Sequence, residues 1–394
     1  MDRRTYLSVL GFAASGALAG CTDAPASGEE QNGSDPAEFA VETVTERLGN
    51  PWGVAFVPDD NRLLVTERDA GRLRLVNREN GDKTPIDGTP SVYSAGQGGL
   101  LAVTIHPEFP DEPWVYLTYS ARNEAAESST HFGRGRLDVD AARLSAFEVL
   151  HAAEPFVESD AHYGSRIVFG ADGAIYLTVG DRQFKNFGPD HVAQDPSNEL
   201  GTTLRFAPDG SVPEDNPFVD DPAARDTIFS YGHRNPQGLT VHPETGELWE
   251  NEHGERAGDE INILEGGGNY GWPVATYACE YGTDESVGDS PDERDDLVEP
   301  VHYWECGSGG FPPSGAAFYD GDSIPEWRGD LFAGNLAGQY LGRFAVDGRD
   351  VAEREPLLAD REWRIRAIET APDTGHLYVA IDGDPAPIVR LVPD

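Results

Sequence analysis

Five polar segments of the chain carry residue types that could do chemistry. In AGQGGLLAVTIHPEF, Gly96, Gly98 and Gly99 bracket Gln97 and allow the backbone to approach a ligand closely. SDAHYGSRIVFGADG sets His162 just before a strand-like run, and a neutral imidazole there would suit general-base work. YGHRNPQGL places Arg234 and Asn235 ahead of a proline. NEHGERAGDEINILEGGGNYGWP is dense in glycine and in carbonyl and carboxylate oxygens, a donor set for a hard cation such as calcium; the absence of a Cys/His cluster disfavours zinc. In EWRIRAIE, Arg364 and Arg366 alternate and so share one face of a strand.

Singly, each segment has a plainer reading: tight turns, a hydrogen-bonded structural histidine, arginines paired with acids. Together, three arginines, an asparagine and a glutamine make a basic, hydrogen-bonding set in a strongly acidic chain. Such a set suits a planar ligand with several carboxylates, because guanidinium forks meet carboxylates two bonds at a time. These residues are far apart in sequence, so the fold must gather them.

A recurring unit does this. Apolar, strand-like runs begin at Asn61 (NRLLVTER), Glu112 (EPWVYLTYS), Asp172 (DGAIYLTVGD), Thr245 (TGELWENEHG), Gly329 (GDLFAGN) and Thr374 (TGHLYVAID). In several copies a second apolar run and a tight turn precede it, as in VAFVPDD, IVFGADG, LTVHPETG and IETAPDTG. A strand-turn-strand unit cannot bury both faces alone, and stacking copies around an axis buries them. The uneven spacing fits blades with unequal loops. The expectation is an all-β, six-bladed β-propeller occupying residues 40–394 as one domain, with loops converging at one end of a central channel.

At the same segments the chain resembles the soluble pyrroloquinoline-quinone (PQQ)-dependent aldose sugar dehydrogenases, relatives of the soluble quinoprotein glucose dehydrogenases. The blocks GQGGLL, GHRNPQGL, GSVPEDNPF and DEINILEGGGNYGWP stand in that family's order, and the likeness runs from PWGVAFVPDDNRLLVTER to the C-terminus. The resemblance implies PQQ in the channel mouth with a bound calcium. It also implies oxidation of an aldose at the anomeric carbon to a lactone, with hydride passing to the quinone's C5 and electrons to an external acceptor. His162 then resembles the general base, and Arg234 the arginine beside the reacting carbonyl. Gln97, Asn235 and Tyr281 fall at cofactor positions, as do Asn335, Leu336 and Ala337. Arg364 and Arg366, flanking Ile365, match the pair on the quinone's carboxylates. Gly254 and Glu255 match backbone-carbonyl ligands of the cofactor's calcium, and Glu260 with Tyr270 a second, structural calcium.

Two departures weaken any claim to glucose specificity: Ala161 replaces an aspartate before the histidine, and Ala337 replaces a lysine on the quinone. Both are similar to the aldose branch. At position 255 glutamate stands where proline is common, which is immaterial if only its carbonyl binds metal. Two other classes would fit a propeller: a cofactor-free sugar- or protein-binding domain, and a metal-dependent lactone hydrolase, whose channel carboxylate/asparagine set is not discernible here.

The remaining sequence speaks of environment. Seventy acidic against 29 basic side chains give a formal charge of -41, spread along the chain, and only Lys83 and Lys185 are lysine. That repels nucleic acid and reads as adaptation to high salt. RRTYLSVLGFAASGALAGC places Arg3 and Arg4 before a short apolar run ending at Cys21, a twin-arginine, lipoprotein-type signal over residues 1–21, followed by a polar tether over 22–39. Export to the outer face of the membrane is expected, anchored only through lipid on Cys21; a homodimer is left open. Cys279 and Cys306 are either bridged or two buried thiols, and the long glycine-rich stretch holding them favours the bridge. From the charge, the melting temperature should rise with added potassium or sodium chloride; a flat response in a thermal scan would contradict salt adaptation.

Overall fold

A computed structural model describes residues 38–394; the signal at 1–21 and nearly all of the 22–39 tether lie outside the described residues. Each of the six apolar runs forms the second strand of a four-stranded antiparallel sheet, and the run before it forms the first. Blade 1 comprises Pro51–Phe56, Arg62–Glu67, Arg72–Asn77 and Lys83–Ile86; blade 2 Leu100–Ile105, Trp114–Arg122, Ser128–Asp138 and Arg143–Ala152. Blade 3 comprises Ile167–Phe169, Ile175–Val179, Thr202–Phe206 and Ile228–Tyr231; blade 4 Pro236–Val241, Leu248–Glu252, Asp259–Ile263 and His302–Trp304. Blade 5 comprises Pro313–Phe318, Leu331–Asn335, Tyr340–Asp347 and Asp350–Glu353. Blade 6 takes Ile365–Thr370, Leu377–Ile381 and Ala386–Pro393, and completes itself with the N-terminal strand Phe39–Leu48.

The first strand of each blade lies against the first strand of the next, and the last against the first, so six inner strands enclose an axis. They approach closely: a Cβ at Gly53 would sit 2.9 Å from the carbonyl oxygen of Leu101 in blade 2. The six-bladed propeller is thus the observed architecture, and its first strand begins at Phe39.

Register carries the detail that the site needs. In five blades the pairing of the first two strands is shifted near the start of the first: between Pro51 and Val54, Leu100 and Val103, Pro236 and Gly238, Pro313 and Ala316, and Ile365 and Ala367. Such bulges bend a strand and re-aim its side chains. Three bulged residues, Trp52, Gln237 and Arg366, face the same axial cavity.

Between the third and fourth strands of blade 4 the chain makes a hairpin, Ala275–Cys279 with Ser286–Gly288, and Cys279 is disulfide-bonded to Cys306 with Cα atoms 5.5 Å apart. The favoured bridge is therefore present. Around the ring, apolar clusters fill the spaces between sheets. Trp327, fully buried, packs edge-on to Phe39 of the closing strand at 5.4 Å and against Phe332 and Tyr319 of blade 5. Trp327→Ala should lower unfolding stability by about 3–5 kcal/mol, measured by denaturant titration in high salt.

Candidate active site

The loops at one end of the axis enclose a cavity of about 630 Å³, a size that holds a cofactor or small ligand. Arg68, Arg234, Arg256, Arg364 and Arg366 line it against the carboxylates of Glu255, Asp259 and Asp382, so its charge balance is the reverse of the chain's. His162, Gln97, Asn235, Tyr281, Leu336, Ala337 and Gly254 also border it.

His162 enters from the segment before blade 3 in a left-handed conformation, φ 46°, and is 4% exposed. Its backbone N–H donates to Oε1 of Gln97 at 2.9 Å, linking two of the sequence segments. Nδ1 lies 2.6 Å from Oδ1 of Asp181, which leaves Nε2 as the basic atom. Asp181 is fully buried and held by the indole N–H of Trp272 at 2.8 Å and the backbone N–H of Gln183 at 2.8 Å. Burial pushes the imidazole below its ordinary value; Asp181 opposes this, and Arg234 and Lys185 add to it. Burial alone would raise the Asp181 carboxyl, but His162 and Arg234 outweigh it and hold it below its usual range. The pair is a neutral base oriented by an ionised acid.

Arg364 and Arg366 do share one side, and both donate to Oδ2 of Asp382, at 3.1 Å each from Nη2. Nη1 of Arg366 reaches Oε1 of Gln237 at 2.6 Å, and Nη1 of Arg364 the carbonyl of Leu336 at 3.1 Å. Across the cavity, Nη2 of Arg234 bonds Oε2 of Glu255 at 2.6 Å. His253 also lines the cavity; its Nε2 is buried with no partner among the described residues, and burial, then Arg234, His162 and Arg366, hold the imidazole well below its ordinary value. An orphaned neutral imidazole nitrogen in a lined cavity invites a ligand atom.

The cation segment is built tightly. A side chain at Gly254 would collide with the carbonyl oxygens of Ala257 and Gly258, so only glycine lets the loop turn back on itself here. Behind Arg234 a second cavity of about 10 Å³, one water in size, is lined by Glu252, Glu260, Tyr270 and Thr276. Cross-strand pairing sets Glu250 opposite Asn262 and Glu252 opposite Glu260 on one buried face of blade 4, with His233 3.0 Å from Glu252. Oε1 of Glu250 and Oδ1 of Asn262 have no partner among the described residues, and burial drives the Glu250 and Glu260 carboxyls well above their usual range.

Two residues expected at the cofactor, Ile365 and Asn335, do not line the main cavity, and the pair expected at a separate cation site, Glu260 and Tyr270, lines the second. Ile365 alternates away from its arginine neighbours into the core beside Phe332 and Val379. Asn335 is buried, its Oδ1 accepting from the Gly338 N–H at 2.6 Å, so it shapes the turn behind Leu336. Glu260 belongs to the second cavity. There, the Tyr270 hydroxyl is already committed, donating to the Ile263 carbonyl at 2.6 Å and accepting from the Glu265 N–H, and a cation could draw only on its backbone carbonyl. Sequence reasoning missed Asp181, Asp382, Arg68, His253, Gln237 and Trp52. A signal for four of them was present: in four of the six repeats the second strand delivers a residue of the site as it ends, Arg68 in VTER, His253 in NEHG and Asp382 in VAID lining the cavity and Asp181 in TVGD holding His162.

The glucose/sorbosone dehydrogenase family model matches residues 48–390. This chain belongs to the glucose/sorbosone dehydrogenase family. It is 37% identical over 362 residues to aldose sugar dehydrogenase YliI of Escherichia coli, covering 91% of this chain and 94% of that protein. The apo structure of the soluble Escherichia coli aldose sugar dehydrogenase superposes with a TM-score of 0.84 at 36% identity, over 91% of this chain and all of the other. The PQQ-bound aldose sugar dehydrogenase of Streptomyces coelicolor has a TM-score of 0.72 at 27% identity, covering 91% and 100%. The chain is accordingly an oxidoreductase acting on the hydroxyl groups of sugars.

For a dehydrogenase whose base is His162, Asp181→Asn should lower kcat by about 10²- to 10⁴-fold, because the tautomer and aim of the imidazole are lost. Since the folded imidazole titrates below 6.5, activity should persist at neutral pH and fall only as pH drops through that lowered value; a kcat/KM profile tests the sign.

Proposed function

We propose that the protein oxidises aldoses at the anomeric carbon to lactones, using PQQ and calcium, and passes the electrons to an external acceptor. The observation that carries this reading is a neutral, Asp181-oriented His162 facing an arginine-lined cavity in a strongly acidic chain. The cavity fits the quinone in size and charge, and the guanidiniums of Arg364, Arg366 and Arg68 are the donors it would meet, with the unpartnered Nε2 of His253 beside them. Gly254 and Glu255 border the cavity, and their backbone carbonyls are the oxygens a hard cation there would draw on. When bound, the quinone supplies the hydride acceptor and calcium the Lewis acid that polarises its carbonyl.

The chain's own residues do the rest. His162 Nε2 takes the proton of the anomeric hydroxyl as hydride departs, and Asp181 stabilises the imidazolium that forms. Arg234 places positive charge where negative charge develops. Tyr281, 68% exposed at the mouth, and the small Ala337 leave the entrance open, in keeping with a broad range of aldoses. A second calcium would fit between Glu252, Glu260 and the Tyr270 carbonyl, where the unpartnered oxygens of Glu250 and Asn262 stand close by. Export by the twin-arginine signal, with lipid on Cys21, completes the reading.

The test is reconstitution. Apoprotein in molar salt, given PQQ and calcium, should reduce an artificial acceptor with an aldose and show no turnover without the acceptor. His162→Ala should abolish dye reduction while quinone still binds, and Arg366→Ala should weaken quinone binding by about 2–5 kcal/mol in an absorbance titration. Turnover retained in the first variant, or unchanged affinity in the second, would refute these roles.

A further inference from the structure

Glu255 does more than present a carbonyl. Its side chain is 4% exposed in the cavity wall, and a buried carboxylate needs hydrogen-bonded cationic partners. It has two, from different segments of the chain. Oε2 accepts from Nη2 of Arg234 at 2.6 Å and from Nζ of Lys185 at 2.5 Å, and Oε1 accepts from the same Nζ at 2.6 Å. The other hydrogen bond of the Arg234 guanidinium, Nη1 to the His253 carbonyl, is long at 3.3 Å. Among the described residues, Glu255 therefore accepts the one short hydrogen bond of that guanidinium, which also lies over the Trp272 ring at 5.2 Å.

Lys185 reaches Glu255 from a different blade. It lies in the loop after Ile175–Val179 of blade 3, whereas Glu255 follows Leu248–Glu252 of blade 4. Its ammonium also lies over the rings of Phe187 at 5.5 Å and Tyr281 at 5.9 Å, so the bond ties two mouth loops together. The chain has only one other lysine, Lys83, on the outer strand of blade 1. A rare residue type thus stands where a single flexible cation can bridge two loops.

We propose that Glu255 is a positioning residue: its carboxylate aims Arg234 into the cavity at the carbonyl that receives hydride, and Lys185 locks that carboxylate in place. The inference rests on the quinone reading above. Glu255→Gln keeps the shape and removes the charge; Lys185→Met keeps the stem and removes the lock.

Each variant, and Arg234→Ala with and without Glu255→Gln, would be loaded with PQQ and calcium. Quinone affinity, the absorption maximum of the bound quinone, and kcat and KM for an aldose would be measured. Glu255→Gln should lower kcat roughly tenfold while KM and quinone affinity stay within about threefold, because orientation is lost and binding is not. Lys185→Met should lower kcat in the same sense by a smaller factor, which covers the case in which Glu255→Gln does not fold. The absorption maximum should shift in Glu255→Gln toward that of Arg234→Ala, and the double variant should match Arg234→Ala alone. Wild-type kcat or a wild-type spectrum in loaded Glu255→Gln would overturn the proposal, as would a further spectral shift in the double variant. If the wild-type protein takes up no quinone, the cofactor reading falls and this inference with it; if it loads normally and Glu255→Gln behaves like it, this inference alone falls.

Discussion

One strand pairing holds the molecule's function together: Phe39–Leu48 against Ala386–Pro393, from Phe39 opposite Pro393 to Leu48 opposite Ala386. Without it blade 6 would have three strands and an open edge, and nothing would oblige the inner strands to close on themselves. Closure is what brings chemistry together across the chain. Gln97 and His162 meet over 65 residues, Gln237 and Arg366 over 129, and Nη2 of Arg166 reaches the carbonyl of Arg366 over 200. Each is a hydrogen bond between segments that belong to different blades, so the aim of every side chain in the cavity depends on a ring that does not open.

Within that ring, two opposed effects decide the state of the base. Desolvation and the neighbouring Arg234 and Lys185 disfavour a charged imidazole, while the bond to Asp181 favours it; burial is the larger. Asp181 resolves its own conflict the other way. Although it is buried as deeply, it gathers the imidazole and the N–H groups of Trp272 and Gln183, and hydrogen bonds to the charged form keep it ionised. An acid kept charged next to a base kept neutral is the division of labour that proton abstraction near neutral pH requires.

The blades were legible in the sequence because each repeats one physical pattern: apolar strand, tight turn, apolar strand. The polar segments were legible because glycines, Arg234 and His162 stand out against acidic loops. What was not legible is register. Arg364 and Arg366 share one side although Arg364 precedes the strand and the register shifts at Arg366, and Ile365 between them turns into the core, so grouping all three with the cofactor conflicted with that alternation. Gln237 and Trp52 reach the cavity through bulges, which depend on pairing partners that a single strand does not reveal. Asp181 and Asp382 were hidden by abundance: in a chain with 70 acidic side chains, two carboxylates that end second strands do not announce themselves. Their position within the repeat, and not their type, was the usable signal. The closing strand was hidden as well, since Phe39 borders a polar stretch and pairs with residues more than 300 positions away.

The acidic exterior and the basic cavity make opposite demands on the solvent. At low ionic strength the field of a chain with net charge -41 opposes the approach of any anionic ligand over tens of ångströms, whereas at about 1 M salt the screening length falls to roughly 3 Å. Contacts inside a buried cavity are screened far less, since water and ions are largely excluded from between the partners. Salt therefore removes the long-range repulsion while leaving most of the short-range attraction of Arg366, 5% exposed, and Arg234, 6% exposed, intact. Arg364, 44% exposed, is the guanidinium whose attraction salt should erode, and it is the one with a backbone carbonyl and a carboxylate to hold it in place when that attraction weakens. The deeper the arginine, the less its grip depends on the medium, and an acidic surface is thereby compatible with a cavity whose guanidiniums keep their attraction for an anionic group in salt.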